Sequence, residues 1–506
     1  MASKELKKLS REEVAKHNNP DDLWVVIDAK VYDLTRFKGM HPGGLAALID
    51  PEVAGQDATD TFYGLHRSEV LEKPQYQRLV IGTIEGEESV FAARVAGELS
   101  KVPYAEPTWL AEGYHSPYYT ENHRQFRKAV REFVDEWIYP DAQAREEDGK
   151  RPDQKVLDKM AELELHAMRL GPGKHLQGRK LMNGLVKPEE FDYFHELIIT
   201  QELSRCGARG YGDGLLGGKV IGLPPVLNFG SEELKAKVVP EVFSGKKFIC
   251  LAVSEAYAGS DVMGLQTTAV KSEDGKEWII NGSKKWITNG TFADYFTVGC
   301  KTEDGFTVIL VERGEGVETR PIKTSYSSTA GTAYITFDNV RVPVGNTLGE
   351  EGGGIFVMLS NFNHERWVMC CASARSQRAI IEECLKWASQ RKAFGKPLTS
   401  QAVIRAKLAA MIARAESKLL SSRATPQLVA KRQPGTLSRY LVVEVLPRQA
   451  SHISLMLKDS VNDAGYRNGK YHRTIPFDSL LGGAEDVLSD LGVRQAMRAM
   501  PSNARL

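Results

Sequence analysis

The sequence predicts a multidomain protein, in which a small unit of mixed α and β structure precedes a larger unit made of a helix block, a strand block and a second helix block. Three observations support this order. The chain has 506 residues, more than the roughly 250–300 that one hydrophobic core normally serves. Residues 5–85 are dense in short strand and turn signals such as LWVVIDAKVYDLT and HPGG. Beyond them, long helical periodicities enclose a β-rich stretch from Phe248 to Arg341.

Composition excludes several classes of function. Hydrophobic residues make up 42% of the chain and charged residues 26%, values typical of an ordinary soluble globular protein. No apolar run approaches the roughly 18 residues of a membrane span. The formal net charge of +1 gives no basic field for nucleic acid or anionic lipid. The six cysteines form no C-x-x-C pair and follow no secretory signal, so we expect reduced, intracellular thiols.

The predicted domain boundaries follow from changes of composition and of hydrophobic pattern along the chain. The first unit covers residues 5–85. Residues 86–112 are acidic at first, then contain Pro103 and Pro107, and are interpreted as a partly helical linker. The larger unit divides into a helix block, a strand block and a second helix block at 113–247, 248–345 and 346–503. Helical patterns are predicted over Glu121–Trp137, Lys155–Leu165 and Glu189–Ser204, and again from Ile355.

Two histidines in the small unit form a candidate metal site. The stretch HPGGLAALIDPEVAGQDATDTFYGLH begins at His41 and ends at His66. An iron porphyrin needs two axial ligands on opposite faces, and neutral imidazole is a suitable donor. The alternative is a pair of surface or capping histidines beside a glycine turn. On the haem hypothesis, the turn is made by Pro42, Gly43 and Gly44, and the slot is lined by Phe37, Leu48, Val53 and Phe62.

The motifs FKGMHPGG and AGQDATDTFYGLH, with LWVVIDAKVYDLT upstream, resemble the haem domain of the cytochrome b5 family. The resemblance covers nearly the whole small unit. It implies an α+β haem-binding domain with haem b as cofactor and with His41 and His66 as the axial ligands of the iron.

The strand block contains LAVSEAYAGSDVMG and, after a predicted hairpin at EDGKEW, the segment IINGSKKWITNG. Chemistry alone suggests a tight polar loop beside an aromatic platform. Ser254 and Thr288 could hydrogen-bond the edge of a heteroaromatic ring, and Trp286 could pack on its face. Such residues are also common in any antiparallel strand and turn, so the residues alone leave both interpretations open.

A second resemblance bears on this question. AVSEAYAGSD, INGSKKWITNG, NFGSEELK and RKAFGKPLTSQ are together similar to the acyl-CoA dehydrogenase family, in order from about Tyr114 to Arg498. The resemblance implies an N-terminal α-helical domain, a middle β-barrel-like domain and a C-terminal four-helix bundle. It also implies FAD bound without a dinucleotide-binding loop, so GPGKHLQG and GYGDG are predicted to be plain loops. The implied flavin contacts are Val253, Ser254, Gly259, Ser260, Trp286 and Thr288, with Ser260 also near the substrate thioester.

The same resemblance implies an oligomer. Arg391, Phe394 and Gln401 correspond to FAD contacts made across a subunit interface, which implies a homodimer or homotetramer. Without the motif, an exposed helix would explain Arg391 and Gln401 equally well.

The implied reaction is α,β-desaturation of an acyl-CoA thioester, which needs a carboxylate base. Many family members place it in a late E-G-T motif, but LLGGAEDVL has Gly482 there and Glu485 three residues later. A minority carries the base on a bundle helix directly before an arginine, and NFNHERW places Glu365 at that position. The resemblance then assigns coenzyme A binding to Phe362, Asn363 and Arg366, although Asn363 replaces a commonly acidic residue.

One region departs from the family. Between Leu420 and Arg473 the Q-x-x-G-G-x-G-Y turn is missing, and Pro426, Pro434 and Pro447 are predicted to interrupt helices. Either this lineage has rebuilt the segment or the sequence contains an error there. The C-terminal Ala504-Arg505-Leu506 is similar to a peroxisomal address, so a peroxisomal or cytoplasmic location is expected.

The leading hypothesis is an FAD-dependent acyl-CoA dehydrogenase of fatty acid metabolism whose flavin passes electrons to the fused haem. A separate electron-transfer flavoprotein or a reductase is a further redox partner to consider. Two alternatives remain. One is a flavin monooxygenase or oxidase on the same fold that takes electrons from the haem. The other is a haem electron carrier whose degenerate dehydrogenase domain is only a scaffold.

Overall fold

The computed structural model describes residues 6–66, 69–72, 74–90, 95–116, 118–325, 327–430, 490 and 494. The chain divides into two compact units, residues 1–95 with 382–410 and residues 96–381 with 411–506. The predictions for Gly482, Glu485, Pro434, Pro447 and the C-terminal tripeptide fall outside the described residues, and so does the side chain of Asn363.

The N-terminal part of the first unit alternates short strands and short helices. Its elements are β1 (Lys7–Leu9), α1 (Arg11–Lys16), β2 (Asn18–Asn19), β3 (Asp22–Ile27), β4 (Lys30–Asp33), α2 (Thr59–Leu65), α3 (Glu69–Glu72), α4 (Pro74–Gln77) and β5 (Val80–Ile84). The five strands form one sheet in the order β1-β5-β4-β3-β2, with β1 parallel to β5. The small unit therefore has the mixed α and β structure that the sequence predicts.

This sheet is apolar on both faces because β3 alternates between two cores. Leu23 and Val25 belong to the core that also contains Leu48, Val53 and Tyr63, which follow β4 along the chain. Val26 points into a second cluster with Val14 of α1. Successive side chains of a strand point to opposite faces, so a short apolar strand supplies both cores.

The helix block of the second unit contains eight α-helices. They are α5 (Glu121–Phe133), α6 (Tyr139–Asp148), α7 (Gln154–Glu162), α8 (Leu165–Met168), α9 (Tyr193–Leu203), α10 (Arg209–Gly212), α11 (Gly218–Phe229) and α12 (Glu232–Phe243). Two π-helical turns, Val134–Ile138 and Asp213–Gly217, join α5 to α6 and α10 to α11. The helical patterns read from the sequence match α5, α7 and α9 with boundaries shifted by a few residues.

One loop prediction is wrong. GYGDG, residues 210–214, is helical, because it lies in α10 and the following π-helical turn. Glycine disfavours a helix interior by about 1 kcal/mol, yet here the missing side chains allow close packing. A Cβ atom on Gly210 would lie 2.7 Å from the Ser327 carbonyl oxygen, and one on Gly214 would lie 2.3 Å from that of Thr329. Tertiary contact therefore overrides the local preference.

The strand block forms a seven-stranded sheet. Its strands are β6 (Ile249–Ala252), β7 (Thr268–Lys271), β8 (Glu277–Ile287), β9 (Tyr295–Thr302), β10 (Gly305–Glu312), β11 (Val317–Pro321) and β12 (Ala333–Pro343). The order is β10-β9-β7-β8-β12-β11, and β6 pairs with β9. Val308 and Leu310 face the core shared with the helix block, while Ile309 and Val311 face a second core inside the sheet.

The prediction of a linker is wrong for its second half, which is buried. Trp109 is 1% exposed and stacks on Tyr119 with ring centroids 4.0 Å apart. Glu106 accepts a 2.7 Å hydrogen bond from Arg131 and pairs with Arg375 at 3.2 Å. Burial alone would raise the pKa of Glu106, but the two guanidinium groups outweigh it and lower the pKa to about 2. This stretch is part of the core of the second unit.

The remaining elements are α13 (Gly354–Gln390), β13 (Lys392–Ala393), β14 (Lys396–Pro397) and α14 (Ala402–Ala430). The prediction that Pro426 interrupts a helix is wrong, since α14 continues through it. An internal proline costs about 3 kcal/mol, yet the described residues 402–430 are helical throughout. In the part of the chain that the structure describes, no helix is both long and apolar enough to cross a membrane.

Candidate functional site

The two histidines of the small unit face each other. The ring centroids of His41 and His66 lie 5.8 Å apart with the ring planes tilted by 53°. Imidazole nitrogens bind metals at about 2 Å, as in zinc sites, so two rings on opposite sides of one ion have centroids about 6 Å apart. The structure therefore places both imidazoles at the spacing of a pair of axial ligands.

The outer ring nitrogens are held by backbone carbonyls. Nδ1 of His66 lies 3.2 Å from the Phe62 carbonyl oxygen, and Nδ1 of His41 lies 3.4 Å from that of Gly44. An Nδ1–H that donates to a carbonyl leaves Nε2 as the free donor for a metal. Burial lowers the pKa of His66, and His41 lowers it further while the Phe62 carbonyl raises it. The net lowering of the pKa of His66 favours the neutral form of imidazole, which is the form that binds iron.

The slot has aromatic walls and a glycine that its geometry requires. Phe62 stacks on His66 at 4.7 Å, and Phe37 meets His41 edge-on at 6.0 Å. A Cβ atom on Gly43 would lie 2.9 Å from His41 Cε1, so a larger residue would displace the ligand ring. Apolar side chains are exposed in this part of the small unit, as a bound porphyrin requires: Met40, Leu45, Ile49 and Leu65. Leu48 and Val53 are buried in the adjoining core.

In the strand block, a buried lysine fixes the polar loop that the sequence singles out. The Lys284 ammonium is fully buried and donates to the Val253 carbonyl at 3.1 Å, the Gly299 carbonyl at 2.7 Å and the Glu255 carboxylate at 2.7 Å. Glu255 also accepts hydrogen bonds from Thr267 and Gln266. All three ammonium protons are used, so Lys284 ties the loop after β6 to β8 and holds Val253, while the Lys285 N–H donates to the Ser254 carbonyl at 2.9 Å.

Trp286 has the features of a ligand platform. Its φ is +68° and its side chain is 54% exposed. A bulky residue in the left-handed region is strained, and such strain concentrates at functional sites. The Lys285 ammonium lies 4.9 Å from the centroid of its ring. The loop residues Gly259 and Ser260 are exposed as well, so the loop and the platform are accessible to a ligand.

Thr288 is held against the helix block at the glycine-rich turn. A Cβ atom on Gly217 would lie 3.2 Å from Thr288 Cγ2. The next residue, Asn289, accepts a 2.8 Å hydrogen bond from Gly218 N–H and donates to the Asp213 carbonyl at 3.0 Å. The N-terminal end of α11 is thereby fixed to the end of β8, where Trp286 and Thr288 lie.

Glu365 lies on the face of α13 that contacts the same helix α11. Asn361 Nδ2 donates a 3.1 Å hydrogen bond to the Val220 carbonyl. Glu365 follows Asn361 by four residues, a spacing that puts both side chains on one helix face, and it is partly buried. The helix α11 therefore contacts the Thr288 segment at Gly218 and the face that carries Glu365 at Val220, two residues later.

Arg366 and Phe362 lie close together. The Arg366 guanidinium is 5.5 Å from the centroid of the Phe362 ring. Burial lowers the pKa of Arg366, and the neighbouring Glu365 opposes that shift. Arg366 directly follows Glu365 and Phe362 precedes it by three residues, so a cation and an aromatic ring lie next to Glu365 along α13.

Sequence reasoning missed the histidine–carboxylate contact that fixes this part of α13. His364 Nε2 lies 2.9 Å from both oxygens of Glu196, a fully buried residue of α9, and Arg169 approaches Glu196 at 3.8 Å. A Cβ atom on Gly171, which has φ +81°, would lie 2.9 Å from Glu196. The first glycine of GPGKHLQG therefore makes room for this pair. Glu196, at the centre of the largely apolar helix YFHELIITQEL, was the signal that could have revealed it.

The hairpin after α13 carries the other predicted flavin contacts. Phe394 has φ +53° and its side chain is 95% exposed. Gln401 lies at the start of α14, where its N–H donates to the Leu398 carbonyl. These residues and Arg391 belong to the first compact unit, whereas those from Val253 to Thr288 belong to the second. Each unit therefore holds part of the predicted set.

A cluster of His123, Asp192 and His195 has ligand atoms within 4.8 Å of one another. Both histidines already serve helix N-termini, because Nδ1 of His123 accepts from Thr120 N–H and Nδ1 of His195 accepts from Asp192 N–H. Their Nε2 atoms contact Asp192 and Asn122. Burial would raise the pKa of Asp192, but its interactions with His123 and His195 lower it. The cluster is a pair of linked helix caps.

Four family models match the chain in succession. The model described as cytochrome b5-like heme/steroid binding domain matches residues 10–85. Three models of acyl-CoA dehydrogenase follow, the N-terminal domain at residues 120–246, the middle domain at 250–340 and the C-terminal domain at 352–497. The two resemblances read from the sequence motifs are thus confirmed.

Known proteins agree with these matches. The acyl-CoA dehydrogenase apdG of Emericella nidulans is 36% identical over 424 residues, which cover 79% of this chain and 96% of that protein. Isovaleryl-CoA dehydrogenase of Oryza sativa is 30% identical, with 62% of this chain and 74% of that protein covered. The crystal structure of an acyl-CoA dehydrogenase from Geobacillus kaustophilus superposes with a TM-score of 0.67 at 27% identity, over 76% of this chain and all of that chain.

Proposed function

The chain belongs to the acyl-CoA dehydrogenase family, and on that premise we propose that it desaturates an acyl-CoA thioester and passes the electrons from FAD to the haem of its own N-terminal domain. It is an oxidoreductase that acts on CH–CH donors. FAD and haem b are its cofactors, one for each of the two family matches. The direction of electron flow and the acyl substrate are the new parts of this proposal.

The observation that carries the proposal is the facing pair of imidazoles. His41 and His66 would together hold the haem iron, since their rings face each other with centroids 5.8 Å apart. An iron held by two protein ligands would leave no place for oxygen or another small molecule, so the group would supply the transfer of single electrons. A haem domain fused to a flavoenzyme also reaches an effective concentration on the order of millimolar. The haem is therefore suited to accept electrons from the flavin.

Glu365 is the proposed base. When FAD is bound, its isoalloxazine accepts the hydride that leaves the β-carbon of the acyl group. The α-proton must leave together with this hydride, and a positioned carboxylate is the group that can take it. Partial burial and the contact of its helix face with α11 support this role. Arg366 and Phe362 are proposed to contact the coenzyme A portion, and Asn363 joins them by its place in the sequence.

The electron balance requires two haem reductions for each substrate. The acyl group loses one proton to Glu365 and two electrons with the hydride, and it becomes the α,β-unsaturated thioester. The bound flavin would pass these two electrons on singly, so the one haem of the chain would be reduced twice for each substrate, and the proton of the hydride would leave to solvent. A one-electron acceptor protein then reoxidises the haem. A redox partner of that class and the acyl-CoA are the proposed partners.

The proposed assembly is a homodimer or homotetramer. A phenylalanine that is 95% exposed and held at positive φ is costly unless another surface covers it. Phe394 is proposed to be covered by a neighbouring subunit, together with Arg391 and Gln401.

Anaerobic rapid mixing of the purified holoprotein with a panel of acyl-CoAs tests the proposal. We expect one acyl-CoA to bleach the flavin first and to reduce the haem of the same chain afterwards. If the flavin is bleached while the haem stays ferric on the timescale of turnover, the haem is not the acceptor. If the haem is present without flavin, the scaffold alternative holds. Product that gains oxygen when the haem is reduced chemically would favour the monooxygenase alternative.

A further inference from the structure

The helix α2 has two different faces. Phe62 and His66 line the haem slot, since their rings stack at 4.7 Å. Asp60 and Gly64 are four residues apart, so they share another face of the same helix. His66 directly follows the last residue of α2. A group that contacts the Asp60 and Gly64 face therefore lies against the helix that holds one haem ligand.

Two basic residues of the hairpin after α13 contact that face. Arg391 Nη1 donates a 3.3 Å hydrogen bond to the Gly64 carbonyl, and Lys392 Nζ lies 3.7 Å from Asp60 Oδ2. All four residues belong to the first compact unit. The contact is polar and exposed, because the side chains of Lys392 and Asp60 are 60% and 92% accessible.

The end of α2 suits a cation. The last carbonyls of a helix have no partner within the helix, and they form the negative end of its dipole. The Phe62 carbonyl accepts from His66, while the Gly64 carbonyl accepts from Arg391. Gly64 has no side chain, and a Cβ atom there would reach within 4.0 Å of the Gln390 carbonyl. A longer side chain at position 64 would hold the two backbones apart.

We propose that Arg391 and Lys392 form the docking surface of the dehydrogenase domain for the haem domain of the same chain, which presents the Asp60 and Gly64 face of α2. The surface is small and polar, as is typical of transient electron-transfer contacts. Its role in electron transfer rests on the proposed function, since Arg391 is also a predicted flavin contact. The docking itself does not depend on that function.

Zero-length carbodiimide coupling of the full-length holoprotein tests the contact. It joins an amine to a carboxylate only when the two touch, so we expect a peptide that links Lys392 to Asp60. Asp60→Asn and Lys392→Arg should both abolish that link, because an amide and a guanidinium do not couple. Lys396→Arg, on the other strand of the hairpin, should retain it. Coupling of a mixture of unlabelled and ¹⁵N-labelled protein should yield only links within one chain.

The electron-transfer step is tested with charge reversals. Asp60→Lys and Lys392→Glu should each slow haem reduction by acyl-CoA about two- to fivefold at low salt, as expected for an exposed ion pair. The double variant, which restores opposite charges, should recover the rate. The rate of flavin reduction should not change, since neither residue is assigned to catalysis or cofactor binding.

The outcomes separate the two proposals. If no Lys392–Asp60 link forms, or if links form only between chains, the docking surface is wrong whatever the enzyme does. If the link forms while wild-type haem stays ferric after the flavin is reduced, the proposed function fails and the docking surface stands. If the link forms and the double variant is as slow as the single variants, Lys392 and Asp60 do not guide electron transfer, and the docking proposal fails in its functional part.

Discussion

The haem slot and the dehydrogenase site differ in the sequence separation between the functional side chains and the residues that hold them. In the haem slot, each histidine is oriented by a carbonyl three or four residues away, Gly44 for His41 and Phe62 for His66. In the dehydrogenase site, the supports come from distant segments. Glu196 holds His364 across 168 residues, and Gly218 binds Asn289 across 71. The difference teaches that a locally held site is visible in a motif, whereas a site held at long range shows only its contact residues.

Removal of a haem ligand should give the largest effect. His66→Ala leaves the iron with one protein ligand, so we expect the purified protein to lose its haem entirely. The flavin should still be reduced by acyl-CoA at the wild-type rate, because the ligand pair is held locally. Haem content is measured by absorption and pyridine extraction. His17→Gln is the control, since His17 belongs to the same unit but stacks on Trp24. Retention of haem by His66→Ala would contradict the ligand assignment.

Glu365→Gln tests the site that is held at long range. A positioned base contributes about 10²–10⁴ to the rate of a proton transfer, so flavin reduction by acyl-CoA should slow by about that factor. FAD and haem contents should be unchanged, which single-turnover spectra can verify. Glu485→Gln is the matched comparison, because Glu485 follows the position of the usual late base. A slow Glu485 variant beside a normal Glu365 variant would move the base to the other segment.

Lys284→Met removes the buried ammonium that holds the polar loop after β6; this ammonium and its three hydrogen bonds are called the clamp. The substitution leaves the Glu255 carboxylate buried without its cation, so we expect the free energy of unfolding to fall by about 3–5 kcal/mol. Denaturant titration measures this loss, and FAD content should fall with it. The control Lys285→Met removes only a cation above the exposed Trp286 ring, worth about 0.5–1 kcal/mol. Equal losses in the two variants would show that the clamp has no special role.

A second buried lysine should make the stability depend on pH. Burial lowers the pKa of Lys219 from 10.5 to about 7, and its ammonium contacts His166 Nδ1. Between these two values the unfolded chain binds the proton that the folded chain has released. The free energy of unfolding should therefore rise with pH in that window, by up to about 1.4 kcal/mol per pH unit. Below the window Lys219 is protonated in both states, and the burial of its charge should destabilise the fold by the full amount.

Lys219→Met should remove that part of the pH dependence, as measured by denaturant titration from about pH 7 to about pH 10. Lys235→Met is the control, because Lys235 forms only a surface ion pair with Glu232. A slope that is identical in wild type and Lys219→Met would show that this lysine stays protonated in the folded protein.

The sequence predicted most of the fold and part of the site. Helix and strand blocks were visible because α5, α7, α9 and the strands from β6 to β12 repeat apolar residues at their own periods. GYGDG was mistaken for a loop because its helix is stabilised by close packing on residues 327 and 329, which no local pattern reveals. The second half of the predicted linker was mistaken for a tether because its anchors, Arg131 and Arg375, lie elsewhere in the chain.

The sequence by itself determined the two families and the order of the blocks, and it predicted the haem ligands. Those features depend on residues that are close together along the chain, or on motifs that are specific in their own right. Tertiary structure alone decided which groups support the dehydrogenase site: Lys284, Glu255, Glu196, His364 and the glycines beside α11. Burying a charge or a polar group is favourable only when a partner satisfies it. That partner is chosen by proximity in space, and a linear sequence does not contain it.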